Sequence, residues 1–393
     1  MPQLILLRGA KQVLTLRGPS GVRRGAALND LGIIEDGSVL IRDGIIAAVG
    51  STRRLENLKE ARTALEIPVN GRIVMPGFVD ASLSLSLDNS RRTHKRKKAG
   101  EFYDESLALL RSCLQHGTLA ADIKATADDS SFHADISMLR KLATIGSNPV
   151  RMVRTWRINQ RINRPAGLGT EEASDFQQTF DTLTRRKLIH SIELASDSEC
   201  PLDDNSLAAV QQAQIGVKLI WPGGSPDVLA GLLERVRPRA VCCQSHLSAE
   251  EADVLAKAPT TAILGTGKDV FEGQAGFAAR QIVDAGGALA LSSGYDSTTA
   301  ASFSMQMSVA LAVVRLGLTP EEAFTAATIN AAHAAGCAHL TGSLEFGKQA
   351  DVLTLNVSDY REVPRQFGIN HVEMAIRQGS IVLNRARWKA AAS

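Results

Sequence analysis

Residues 71–87 read GRIVMPGFVDASLSLSL and contain the apolar run from which we predict the fold. Ile73 to Val79 is almost continuously apolar, interrupted only by Pro76-Gly77, and it leads into a short serine-rich stretch. A strand that is apolar on both faces is typical of a parallel sheet or barrel covered by helices. The stretch therefore predicts a buried strand with hydroxyl groups near its carboxyl end.

Short apolar runs alternate with longer helical patterns through the middle of the chain. Further strand patterns occur at residues 119–123, 150–155, 189–194, 216–220, 240–243, 261–264 and 288–291. Together with the strand at Val74 they make eight, and a helical segment separates each from the next. Repeated βα units of this kind indicate an α/β fold, and we predict a TIM-like (β/α)8 barrel over residues 74–342.

Both ends of the chain carry strand patterns that no helices separate. Asp43-Gly44 is a typical hairpin turn between two of the N-terminal strands. The pattern of short strands resumes after Gly342. These segments are typical of a small β-sandwich.

Composition excludes several classes of function. The chain has 393 residues with 44% hydrophobic and 22% charged residues, which is ordinary for a globular enzyme. A net charge of +3 and an aromatic content of 4% do not favour nucleic-acid binding. The apolar stretches are too short for a membrane helix or a signal peptide. Five cysteines without paired spacing predict reduced thiols in a cytoplasmic protein.

Three segments carry a resemblance to a known family. Residues 74–81, VMPGFVDA, are followed by Ser82 and Ser84, which are two positions apart. This stretch is similar to the first barrel strand of the amidohydrolase superfamily. The C-terminal third resembles the same part of the imidazolonepropionases, a family within that superfamily. The resemblance is carried by two segments, SMQMSVALAVVRLGLTPEEAFTAATINAAHAAG and GSLEFGKQADVLTLN. The resemblance implies a composite β-sandwich domain from residues 1–73 and 343–393 beside the barrel, and a possible homodimer. It also implies metal-dependent opening of a five-membered cyclic amide.

The metal positions of the family do not match this sequence. Its ligands are two histidines on the first strand, a later histidine and an aspartate, and they fall on Ser82, Ser84, Ile220 and Gly294. A serine hydroxyl is a poor ligand for zinc or iron, and isoleucine and glycine offer no side-chain donor. We therefore expect no metal and no cofactor. We also expect a hydrolytically inactive homologue that binds a small molecule or has a structural role.

One catalytic candidate and several ligand-binding candidates follow from the same comparison. His246 matches the histidine of the family's Asp-His-Leu motif and is the candidate catalytic residue. Arg91 matches an arginine directed at the substrate carboxylate. Lys124 ends a strand, where it can instead pair with Asp122 or Asp128. The candidate ligand-binding residues are Ser82, Ser84, Arg91, Lys124, Gln160 and Ser293.

Two alternative functions remain open at this point. The retained scaffold and His246 are also compatible with an active hydrolase of non-peptide C–N bonds in cyclic amides. The run Arg91 to Lys98, RRTHKRKK, is compatible with a module that binds an anion or a partner protein, although such runs are usually solvated loops.

Overall fold

The computed structural model describes residues 3–86, 99–126, 132–145, 150–158, 170–195, 200, 202–244, 246–267, 278–296 and 302–385. In chain order the strands are β1 (Leu4–Leu14), β2 (Ile33–Arg42), β3 (Ile45–Ser51), β4 (Leu65–Pro68), β5 (Ile73–Pro76), β6 (Phe78–Ser86), β7 (Thr118–Thr126), β8 (Arg151–Ile158), β9 (Ser191–Ala195), β10 (Gly216–Trp221), β11 (Ala240–Cys243), β12 (Thr261–Gly265), β13 (Ala288–Ser292), β14 (Val352–Leu355), β15 (Val372–Arg377) and β16 (Ser380–Asn384).

The helices of the described residues cover both short turns and longer segments. In chain order they are α1 (Thr52–Leu55), α2 (Ala99–Gln115), α3 (Phe132–Thr144), α4 (Thr170–Arg185), α5 (Asp204–Gln212), α6 (Pro226–Val236), α7 (Ala249–Lys257), α8 (Ala279–Asp284), α9 (Met305–Leu316), α10 (Pro320–Ala326), α11 (Ile329–Ala335) and α12 (Glu362–Arg365). None of these helices is long and apolar enough to cross a lipid bilayer.

Strands β6 to β13 form the predicted barrel. They pair in parallel in their order along the chain, which is the arrangement expected when a helix returns the chain after each strand. Helices such as α2 and α3 pack against the outer face of these strands. The prediction of a TIM-like (β/α)8 barrel is confirmed.

The two ends of the chain combine in one mixed sheet, separate from the barrel. Its strands follow the order β16-β15-β14-β5-β1-β2-β3, with β4 paired to β1. The N-terminal and C-terminal parts meet where β5 pairs antiparallel with β14. Apolar side chains from both parts, including Val13, Val74, Val352 and Ile376, share one buried cluster.

Asp80 joins the first and last strands of the barrel, β6 and β13. Its fully buried carboxylate accepts hydrogen bonds from the Ser292 hydroxyl at 2.7 Å and from the Ser293 hydroxyl. Backbone N–H groups of Ser82 and Ser293 donate to the same carboxylate at 3.2 and 3.3 Å. Burial raises the pKa of Asp80, and the four donors act in the opposite direction by stabilising the carboxylate. Asp80 therefore holds β6 and β13 together from inside the barrel wall.

We expect that Asp80→Ala lowers the free energy of unfolding by about 2–4 kcal/mol. The substitution leaves two buried hydroxyl groups and two backbone donors without their acceptor, and hydrogen bonds to a charged group are among the strongest. Urea denaturation followed by circular dichroism measures the change. Glu234→Ala, at an exposed position of α6, is the control and should leave stability nearly unchanged. Equal stability of Asp80→Ala and the control would show that barrel closure does not depend on this carboxylate.

Candidate functional site

The interior of the barrel contains charged side chains at alternating strand positions. Residues two apart on a strand face the same side. Asp122 and Lys124 of β7 therefore both point inward, and Glu193 of β9 and Lys218 of β10 point toward them. All four side chains are almost completely buried. Charges in such a position are stable only when they are paired.

The deeper layer of these charges is an ion pair between Lys218 and Asp122. Thr155 of β8 donates a hydrogen bond from its hydroxyl to Asp122 Oδ1 at 2.5 Å. Burial lowers the pKa of Lys218, whereas contact with the Asp122 carboxylate favours the charged ammonium. This layer fills the barrel below the candidate site.

Glu193 is at the centre of the upper layer. Lys124 forms an ion pair with Glu193 Oε1, and Arg157 of β8 donates from Nε to Oε2 at 2.8 Å. The Cys242 thiol of β11 also donates to Oε1, at 3.2 Å, and Lys124 Nζ lies 3.1 Å from Cys242 Sγ. Burial alone would raise the pKa of Glu193, but the two cations outweigh it and lower that pKa. Glu193 is therefore ionised at neutral pH.

A small cavity of about 70 Å³ opens above this layer at the carboxyl ends of the barrel strands. This is the end at which TIM-barrel enzymes carry their active sites. The cavity is lined by Ser82, Ser84, Lys124, Arg157, Cys242, Cys243, Gln244, Ile263, Gly265, Ser292, Gly294, Tyr295 and Asp296.

A larger concavity of about 800 Å³ lies on the outside of the molecule, between α9 and α12. Apolar side chains such as Val314 and Phe367 line it together with Arg361 and Arg365. It contains none of the residues at the barrel strand ends. The smaller cavity at the barrel mouth is therefore the candidate functional site.

Three of the six candidate ligand-binding residues meet at this cavity. Ser82, Ser84 and Lys124 all line it, and Arg157 Nη2 donates to Ser84 Oγ at 3.3 Å. Lys124 pairs with Glu193, whereas the sequence suggested Asp122 or Asp128 as its partner. The reason is that Glu193, on the second strand along from β7, faces the same interior space.

The remaining candidates lie elsewhere. Ser293 is fully buried in the wall, where its hydroxyl donates to Asp80. His246 is exposed in the segment between β11 and α7 and is not one of the residues that line the cavity. Arg91, Gln160 and the basic run from Arg91 to Lys98 lie outside the described residues.

Sequence reasoning missed Arg157, Glu193 and Cys242. A signal for the two charged residues was present, because each lies in a short strand between apolar neighbours. The outer face of a barrel strand is covered by helices, so a charged residue with apolar residues on both sides in such a strand is expected to face the interior. Cys242 carries no such signal, since cysteine is common in buried apolar strands.

Comparison with known proteins agrees with this architecture. A family model described as "Amidohydrolase family" matches residues 204–382. The imidazolonepropionase of Brevibacillus brevis is 28% identical over 98% of this chain and 100% of its own length. That of Geobacillus kaustophilus is 28% identical over 97% and 98%.

Solved structures support the fold alone, because their sequence identity is low. Guanine deaminase from E. coli superposes with a TM-score of 0.70 at 16% identity, covering 98% of this chain and 99% of the deaminase. An adenosine deaminase from Xanthomonas campestris, described with bound zinc, gives a TM-score of 0.67 at 16% identity and covers 99% of this chain and 96% of its own.

We expect that Glu193→Gln lowers the free energy of unfolding at pH 7 by about 3–5 kcal/mol, because Lys124 and Arg157 lose their buried counter-charge. The folded state lowers the pKa of Glu193, so the unfolded state binds the proton first as the pH falls. The stabilisation by Glu193 is therefore complete above the ordinary glutamate pKa of about 4.3 and is lost below it.

Urea denaturation of the wild type and the variant between neutral and acid pH measures this effect. The difference between the two proteins should shrink as the pH falls below the ordinary glutamate range. Glu250→Gln, at an exposed position of α7, is the matched control and should follow the wild type throughout. A difference that stays constant with pH would contradict a charged Glu193.

Proposed function

Because this chain belongs to the amidohydrolase superfamily, we propose that it is an imidazolonepropionase-like member whose barrel binds a small polar molecule without a catalytic metal. On this proposal it does not hydrolyse its ligand through a metal-activated water. The observation that carries the proposal is the pair of cations, Lys124 and Arg157, that line the cavity at the barrel mouth.

These cations disfavour a divalent metal at the same place. Arg157 directs its guanidinium at Ser84, one of the two first-strand positions that carry histidine in the family, and donates to its hydroxyl. The Lys124 ammonium approaches from β7 and is held by Glu193. Two positive groups beside a metal ion would repel it, and repulsion between charges is strong where water is excluded.

The donor set at the family's metal positions does not fit a transition metal either. Ser82 and Ser84 offer neutral hydroxyls, and Gly294 offers no side chain. Ile220 shares a strand face with Lys218 and brings only hydrocarbon to the interior. Zinc sites normally need three or four imidazole, thiolate or carboxylate ligands. In the described part of the chain, no three His, Cys, Asp or Glu side chains are grouped so as to hold a metal ion.

The cavity offers recognition of a small hydrogen-bonding ligand. Ser82, Ser84 and Gln244 supply polar groups at its wall. Lys124 and Arg157 together carry one positive charge more than Glu193 neutralises, and Asp296 contributes a carboxylate on the same wall. A small molecule with carbonyl or carboxylate oxygens directed at the cations fits this arrangement.

Metal analysis of the full chain, purified without chelator, tests the proposal. We expect zinc, iron and manganese far below one equivalent per chain, since the positions discussed above lack ligands. Added metal should not stimulate hydrolysis of imidazolone propionate. An imidazolonepropionase from Brevibacillus brevis, prepared in parallel, is the control. About one tightly bound equivalent of metal per chain, as in a structural or catalytic zinc site, would overturn the proposal.

A further inference from the structure

A cysteine thiol with charged partners lies at the candidate site itself. Cys242 lies in β11 and lines the cavity, and its sulfur contacts both Glu193 Oε1 at 3.2 Å and Lys124 Nζ at 3.1 Å. All five cysteines are free and buried, and the sulfur of Cys242 is joined to a carboxylate and an ammonium group. A nucleophile with a base within hydrogen-bond reach, and a third group that holds the base, is the arrangement that covalent catalysis requires.

We propose that Cys242, Glu193 and Lys124 form a thiol-based acyl-transfer site, which cleaves a small amide or activated ester through a thioester on Cys242. The class of substrate is a carbonyl compound small enough for its acyl group to enter the cavity between Ser84 and Gln244. No metal takes part in the reaction.

The first half of the reaction transfers the acyl group to sulfur. The Cys242 sulfur attacks the carbonyl carbon, and Glu193 Oε1 accepts the thiol proton. The C–S bond forms, the electron pair of the C–N or C–O bond leaves with nitrogen or oxygen, and Glu193 returns the proton to that leaving group. The products are a thioester on Cys242 and a free amine or alcohol.

Water completes the second half. Glu193 takes a proton from a water molecule that adds to the thioester carbon, and the C–S bond then breaks. The carboxylic acid leaves, and the sulfur recovers the proton from Glu193. Cysteine, glutamate and lysine are all back in their starting state, so the cycle consumes only substrate and water.

Lys124 and Arg157 have different roles in this arrangement. The Lys124 ammonium lies 3.1 Å from the sulfur, and in this assignment it stabilises the negative oxygen that develops on the attacked carbonyl. Arg157 is a positioning residue, because it holds Glu193 Oε2 and so turns Oε1 toward the thiol.

The pKa shifts of the two groups keep the proton on sulfur at rest, so proton transfer has to accompany the attack on the carbonyl carbon. Burial raises the pKa of Cys242, so the thiol keeps its proton at rest and donates it to Glu193. The pKa of Glu193 is lowered despite burial, because Lys124 and Arg157 stabilise the carboxylate. Between the separate groups this proton transfer is uphill, so the thiol gives its proton to Glu193 only as the C–S bond forms and the acidity of the sulfur rises.

Chelator-treated full-length protein and the probe p-nitrophenyl acetate test the proposal. We expect a burst of p-nitrophenol, a mass increase of one acetyl group and an acetylated peptide that contains Cys242. Cys242→Ser should abolish the burst and the adduct, and Cys113→Ser, in α2 and outside the cavity lining, is the control that keeps both. Glu193→Gln should slow acylation by about 10²-fold or more, the usual contribution of a general base.

The outcomes separate clearly. Acetylation of surface lysines alone, or a burst that is the same in Cys242→Ser, would overturn the proposal. If Cys242→Ser does not fold, Cys242→Ala replaces it, and the peptide map of the wild type decides the question without any variant. The inference shares its cavity with the proposed function but does not depend on it. Metal content is measured on the same preparation before chelation, so a failure of either proposal is recognised separately.

Discussion

The pairing of Glu193 with Lys124 and Arg157 is the interaction on which the candidate site depends. A carboxylate that is completely excluded from water remains ionised only when cations or several hydrogen-bond donors contact it, and Glu193 has two cations. The contacts also fix where those cations are, because each cation is drawn to a different edge of the same carboxylate. As a result, Lys124 lies next to Cys242 and Arg157 lies next to Ser84 in the cavity wall.

The same charges explain the shape of the barrel mouth. In most barrels of this kind, layers of branched apolar side chains fill the interior. Here an ion pair of Lys218 and Asp122 forms the deeper layer and the Glu193 group forms the upper one. Long lysine and arginine side chains fill the barrel interior, so a ligand cannot bind deep inside it. The cavity is consequently shallow, and recognition is confined to the strand ends.

The fold was largely predictable from the sequence, whereas the site was predictable only in part. Eight apolar runs separated by helical patterns were enough to predict the barrel, because that periodicity reflects burial by helices on the outside. Ser82, Ser84 and Lys124, named from the sequence as ligand-binding candidates, line the cavity, although no ligand role is tested. The partners of Lys124 were not predictable, since Cys242 lies 118 residues further along the chain and comes close only when the barrel closes. The exposure of His246 likewise depends on the conformation of one loop, which no motif specifies.

The meeting of β5 and β14 has a consequence for the order in which the protein is made. On the ribosome, β1 to β5 emerge first, yet the edge of β5 obtains its partner only after the strand that begins at Val352 has left the exit tunnel. During that interval a strand with exposed backbone donors and acceptors is open to pairing with other chains. Nascent chains stalled before Val352 are therefore the species for which a chaperone would matter most.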